Sequence, residues 1–274
     1  MLFRSLTRFD GQSFREVPGI PPITLRETLT KSKALAVDRL GRVWTVTEGQ
    51  DLWRVDGTNV VRLTTSDGLV TRNQDALHLA PDGSLWFQDN SGGFRGITRY
   101  DGQAFVHVPL DLLPTAIHVT PEGIVWFGHI AGTITRLNPG GPGLVRFGEN
   151  SGAPNSWVLQ VQTGPDGALW MATDGGVYRY EESTFQNFTR ADGLPGEQVL
   201  ASAVTSDGAV WFSDPRATPF LARLHPRQKT GDGRLFRVFG PDDGLNIPRA
   251  AALQADPNGG LWIGTWGAPS LGLQ

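Results

Sequence analysis

The stretch Gly164–Tyr180, GPDGALWMATDGGVYRY, decides how this chain is read. It parses as a tight turn at Asp166-Gly167, a strand, a short loop and a second strand, entered from a strand just before it. The Asp-Gly pair accepts the positive φ angles of a two-residue hairpin turn. Leu169-Trp170-Met171 places three large apolar residues in a row. A strand with one wet face does not carry such a run, so this strand is expected to be covered on both sides. The phrase returns as LGRVWTV with Trp44, PDGSLWFQ with Trp86 and PEGIVWFG with Trp126, then as SDGAVWFS with Trp211 and NGGLWIGT with Trp262. The tryptophans stand 42, 40, 44, 41 and 51 residues apart. Several short strands repeated at such a period predict an all-β chain, a β-propeller of six four-stranded blades.

Composition narrows the function classes. The repeat fills most of the 274 residues, so residues 1–274 read as a single domain. The 35 Gly and 19 Pro fall at matching phases of each repeat and are read as turn residues. A net charge of −3 offers no basic stripe for nucleic acid. No apolar run approaches the roughly 18 residues of a membrane span. With no Cys there are no disulfides and no thiolate metal sites.

Within each unit the strands are labelled A to D. In the first unit they are expected at 34–37, 42–47, 51–55 and 60–64, with Ser66-Asp67-Gly68-Leu69 beginning the crossing to the next unit. The third unit has a looser turn at 138–140, and an enlarged turn, 225–233, accounts for the spacing of 51. The sixth unit supplies strands at 251–255, 261–265 and 270–273 but no strand D. Leu6–Gly11 matches Ile97–Gly102, and 13–17 then reads as a D strand. Pairing these N-terminal outer strands with the C-terminal inner strands is expected to close the ring and remove its open edges. Residues 26–33 read as a short helix.

The order of an apolar A strand, a D-G turn, L-W-[IF], G-x-Y-R-Y and D-G-L-P resembles the two-component regulator propeller repeat. The clearest copies are Trp170–Pro195 and Trp44–Leu69, and the likeness runs over about the whole chain. It implies a ligand-recognising domain, with oligosaccharides frequent among the ligands. It also implies the periplasmic part of a sensor kinase, hence fusion to or partnership with a signalling protein. The start, MLFRSLTRFDG, has no apolar core of signal-peptide length, which leaves the cytoplasm open as a compartment. GPDGALW also resembles the repeats of streptogramin lyases, metal-dependent propeller enzymes. That likeness implies Mg²⁺ or Ca²⁺, a His about eleven residues before the Trp and a Glu just after it. Those earlier positions here are Lys33, Asp75, Thr115, Leu159, Leu200 and Ala251, and Glu48 is the one Glu that follows a Trp.

Binding residues are sought where the B–C loops and D-to-A crossings gather, because loops at that end converge. The B–C positions give Glu48, Asp89, Asn90, His129, Asp174, Asp214, Arg216 and Trp266, and the crossings add Arg72, Asn73, Trp157, Glu197, Gln198, Asn246 and Arg249. Carboxylates with His, Arg and Trp suit hydroxyl-rich ligands with apolar ring faces. The structural reading of the same acids is that Asp and Asn make good loops. His78 and His118 fall at one phase of strand A and are the candidates for a metal; as tunnel-wall residues they would instead be hydrogen-bonded. No G-x-S-x-G, H-E-x-x-H or phosphate-loop motif occurs. The expected function is ligand binding with no catalytic residues or cofactor, the alternatives being a metal-dependent lyase or hydrolase and a protein-interaction scaffold.

Overall fold

The structure is a computed structural model. It describes residues 2–3, 7–9, 14–19, 23–24, 35–46, 51–69, 74–91, 94–112, 114–138, 143–224, 235–245, 250–256 and 259–265. The chain divides into two compact units, Met1–Ile124 and Val125–Gln274.

In the first unit, strands Leu35–Val37, Val43–Val46, Leu52–Asp56 and Asn59–Leu63 form an antiparallel sheet whose spatial order follows the chain. Gln74–Leu79, Leu85–Ser91, Phe94–Tyr100 and Phe105–Pro109 form a second, and Pro114–Val119 is a further strand. Trp44, Leu52, Leu63, Leu77, Phe87 and Tyr100 form the core of this unit. Thr7–Phe9 pairs with Phe14–Glu16, the expected C–D hairpin. The sequence gives no hint of the pairing of Leu2–Phe3 with Ile23–Thr24.

In the second unit, Val125–His129, Ile134–Leu137 and Leu144–Phe147 run side by side. Two four-stranded sheets follow: Val158–Thr163, Leu169–Thr173, Gly176–Glu181 and Thr184–Phe188, then Ala201–Val204, Val210–Ser213, Leu221–Leu224 and Phe236–Phe239. Ala250–Ala255 pairs with Leu261–Thr265. Trp170, Val177, Phe188, Val210, Phe212 and Phe236 form a core shared by the two complete sheets.

The A–B turns differ from the two-residue hairpin expected. In each, the Gly amide bonds back three residues, as from Gly167 to the Gly164 carbonyl at 3.0 Å, and Gly164 N–H donates to Ala168 O at 2.8 Å. Among the described residues, Gly alone takes positive φ in these turns, between 76° and 95°. They are three-residue loops, a type I turn closed by a left-handed Gly. The two-residue turn with both central φ positive lies instead at Glu182-Ser183, φ 48° and 67°, between the paired Glu181 and Thr184.

Register ties the repeat together. Trp44 pairs with Ala36 on one side and Arg54 on the other; Trp86 with His78 and Arg99; Trp170 with Gln162 and Arg179; Trp211 with Ala203 and Arg223. The guanidiniums of Arg54, Arg99, Arg136, Arg179 and Arg223 lie 5.6–5.9 Å from the centroids of their tryptophan rings, within cation–π range. Asp82, Asp166 and Asp207 of the A–B turns form ion pairs with Arg99, Arg179 and Arg223. Trp44, Trp86, Trp126 and Trp170 are buried. The burial expected of every strand-B Trp departs at two: Trp211 is partly buried, and Trp262 is 49% exposed, the described residues of its sheet comprising two strands, with no strand-C Arg among them to cover the ring. The helix read at 26–33, all but the first residue of the turn at 138–140, the turn at 225–233 and the strand at 270–273 lie outside the described residues. So does the join expected to close the ring.

Candidate functional site

The loop end of the second unit is built from residues three places after each tryptophan. There strand B leaves its sheet, and loop amides need new acceptors. His129 is 1% exposed, with Nε2 2.8 Å from Thr135 Oγ1, and its carbonyl accepts the Gly132 N–H. Thr173 Oγ1 donates to Gly176 O at 2.8 Å and accepts from Ser156 Oγ and Gly175 N, each at 3.1 Å. Asp214, 3% exposed, accepts Gln198 N–H at 3.1 Å and Arg216 N–H at 2.8 Å on its two oxygens.

The crossings are clasped between these loops. Asp174 N–H donates to Trp157 O at 3.2 Å, Gly176 N–H to Glu197 O at 2.7 Å and Val199 N–H to Thr173 O at 2.9 Å. The backbones touch: a Cβ on Gly132 would lie 2.4 Å from Ser156 N and 2.5 Å from Pro154 O. One at Gly196 would lie 1.9 Å from Asp214 Oδ2. The result is a continuous rim through 129–133, 154–157, 173–176, 196–199 and 214–217. Asp174, Glu197, Arg216 and Ile130 are exposed on it, and Trp157 is partly buried.

The sequence-selected residues therefore fall into distinct groups. Asp174, Arg216 and Trp157 share the rim with open faces. His129 and Asp214 share it too, but they are turned inward and hold its loops. Asp89 and Asn90 continue strand B, opposite Gly96 and Arg95, so this hairpin extends further than expected. Glu48, Arg72, Asn73, Asn246, Arg249 and Trp266 lie outside the described residues. Glu197, selected from the crossings, is exposed on the rim; Ile130 was not selected by the sequence reading, and its exposed place on a clasped loop is the signal.

His78 and His118 stand together in the first unit, ring centroids 6.3 Å apart and planes at 72°. Burial pushes the His118 pKa down to about 4. In the second unit Gln162, at the phase of His78, donates from Nε2 to Ser202 O at 2.6 Å. Ser202 N–H donates to Gln160 Oε1 at 2.9 Å. Side chains at this phase thus bridge neighbouring A strands. Among the described residues no group of three or more His, Asp or Glu side chains converges as a metal cage.

Residues 244–267 match the family described as two component regulator propeller. The chain carries that repeat. It has the fold of virginiamycin B lyase from Staphylococcus aureus, at 21% identity and TM-score 0.66 over 90% of this chain and 81% of that one. It is as similar to the extracellular domain of a hybrid two component system from B. thetaiotaomicron, at 17% identity and TM-score 0.65. That match covers 99% of this chain and 38% of the other. No curated protein sequence matches the chain. Both resemblances read from the repeat thus stand, and they establish an all-β, propeller-type fold. Among the described residues no helix is long and apolar enough to cross a membrane.

Proposed function

We propose that this chain is a recognition module, a six-bladed propeller that binds a small molecule or oligosaccharide on the loop rim of its second unit and signals through an attached or partner protein. The observation that carries this reading is the rim itself. Asp174, Glu197 and Arg216 are exposed on loops whose backbones are clasped to one another, so charged groups are presented without loop ordering on binding. Trp157 adds a partly buried aromatic edge. The likeness to the extracellular domain of a two component system supports a sensory role and an extracytoplasmic location.

A second reading follows from the likeness to virginiamycin B lyase, whose catalytically inactive form has been solved with quinupristin. Against it, His129 is buried and hydrogen-bonded to Thr135, and a general base must reach the substrate proton within about 3 Å. Screening tag-free protein against soluble glycans and small metabolites by thermal shift tests the main reading: a hit should raise the melting temperature of wild type and not of Asp174→Ala or Arg216→Ala. Ring opening of quinupristin with Mg²⁺, abolished by His129→Ala, would instead establish the lyase.

A further inference from the structure

We infer that the rim of the second unit takes a small zwitterion with an apolar body, the chemistry of an apolar amino acid; this rests on the reading of that rim as the binding site. The order of side chains around the rim carries the inference. Ile130 is 61% exposed, and Trp157, partly buried, stands on the next loop. Asp174 and Glu197 follow and Arg216 comes last, all three exposed. The Gly176 amide donates to the Glu197 carbonyl at 2.7 Å and so ties the two acidic loops together. The amides of Gln198 and Arg216 share the Asp214 carboxylate, at 3.1 and 2.8 Å, which ties the Glu197 loop to the Arg216 loop. Apolar surface, two carboxylates and a guanidinium therefore follow one another along backbone that is already fixed.

The state of these charges is the second observation. Arginines that serve the repeat are paired: Arg179 with Asp166 and Glu181, Arg223 with Asp207 and Arg237 with Asp243. Among the described residues, the side chains of Asp174, Glu197 and Arg216 form no ion pair. Two carboxylates on tied loops favour a cation beside them, and the guanidinium fork of Arg216 matches a carboxylate with two parallel hydrogen bonds. The ligand ammonium is assigned to Asp174 and Glu197, its carboxylate to Arg216 and its apolar part to Trp157 and Ile130. Neutral sugar hydroxyls would leave these charges uncompensated, whereas a zwitterion answers both signs at once.

The test is calorimetric titration of the tag-free chain at pH 7 with L-phenylalanine, N-acetyl-L-phenylalanine, L-phenylalaninamide and cellobiose. Wild type should bind L-phenylalanine, and each capped form, lacking one charge, should bind on the order of ten-fold or more weakly. Arg216→Gln should no longer distinguish L-phenylalanine from its amide, and Asp174→Asn combined with Glu197→Gln should no longer distinguish it from the N-acetyl form. No binding of L-phenylalanine by wild type, or equal binding of all three forms, would overturn the inference. Cellobiose bound by wild type and lost in Asp174→Ala and Arg216→Ala, with L-phenylalanine unbound, would overturn it while leaving the rim as the binding site. L-phenylalanine bound equally by wild type and every rim variant would place the ligand elsewhere and overturn both.

Discussion

Asp38→Ala tests whether the turn aspartates hold the repeat together. The Asp38 carboxylate accepts Trp44 Nε1–H at 2.8 Å, Arg42 Nε–H at 2.7 Å and the amides of Leu40 and Arg42 at 3.0 Å. Trp44 is 0% exposed, so removing the carboxylate leaves a buried donor unpaired, at about 1–3 kcal/mol. The Arg42 pair, nearer the surface, adds less than about 1 kcal/mol. The expected loss is therefore about 1–4 kcal/mol, or about 2–16 °C in melting temperature for a chain of this size. Burial alone would raise the Asp38 pKa, but the hydrogen bonds from Trp44 and Arg42 outweigh it and hold the carboxyl below 3.8. Its stabilisation is present above 3.8 and disappears as pH falls through the lower folded value. The gap between wild type and Asp38→Ala in urea unfolding should thus be full at pH 7 and shrink below pH 4. A loss under about 0.5 kcal/mol at pH 7, the size of an ordinary surface change, would refute the reasoning.

Trp170→Ala, in a core position 1% exposed, should cost about 3–5 kcal/mol; Trp262→Ala, half exposed, should cost clearly less in the same denaturation series. Gly208 has φ +85° and a Cβ there would meet Pro165 Cγ at 3.3 Å, so Gly208→Ala should lose about 1–3 kcal/mol. Asp207 is held at about 2, chiefly by the Thr205 hydroxyl and against burial, with the Ala209 amide and Arg223 assisting. Asp207→Asn should therefore differ from wild type above pH 3.8 and converge with it as pH falls toward 2, in acid unfolding followed by circular dichroism. Asp174→Ala and Arg216→Ala should unfold within about 0.5 kcal/mol of wild type, since exposed loop side chains carry little packing.

The repeat was legible because its strongest features are local. Consecutive apolar residues around each Trp and Gly at the turns survive in sequence whatever the tertiary contacts. The strand-C arginines likewise recur at one phase of the repeat, and the turn aspartates pair with them. The turn type was misread because an Asp-Gly pair suits both a two-residue turn and the end of a three-residue loop; hydrogen bonding, not residue identity, separates them. Trp262 escaped the pattern because burial depends on what a neighbouring strand supplies.

The site was less legible. Asp174 and Asp214 look alike in sequence, each an acid near the end of strand B. Their one-place difference in phase puts Asp174 in solvent and turns Asp214 onto the amides of Gln198 and Arg216. His129 shares the Asp214 phase and is buried with it. Backbone clasping of the crossings has no residue signature beyond small residues such as Gly132 and Gly196, whose need for room appears only when the neighbouring loop is in place.

A crystal structure of the protein with a hit from the binding screen tests the central claim most directly. The ligand should lie within about 4 Å of Trp157, Asp174 and Arg216, with Asp214 still bonded to its two backbone amides. A ligand seated instead against the A–B turns, on Asp82, Asp166 or Asp207, would contradict the account and place recognition at the opposite end of the sheets.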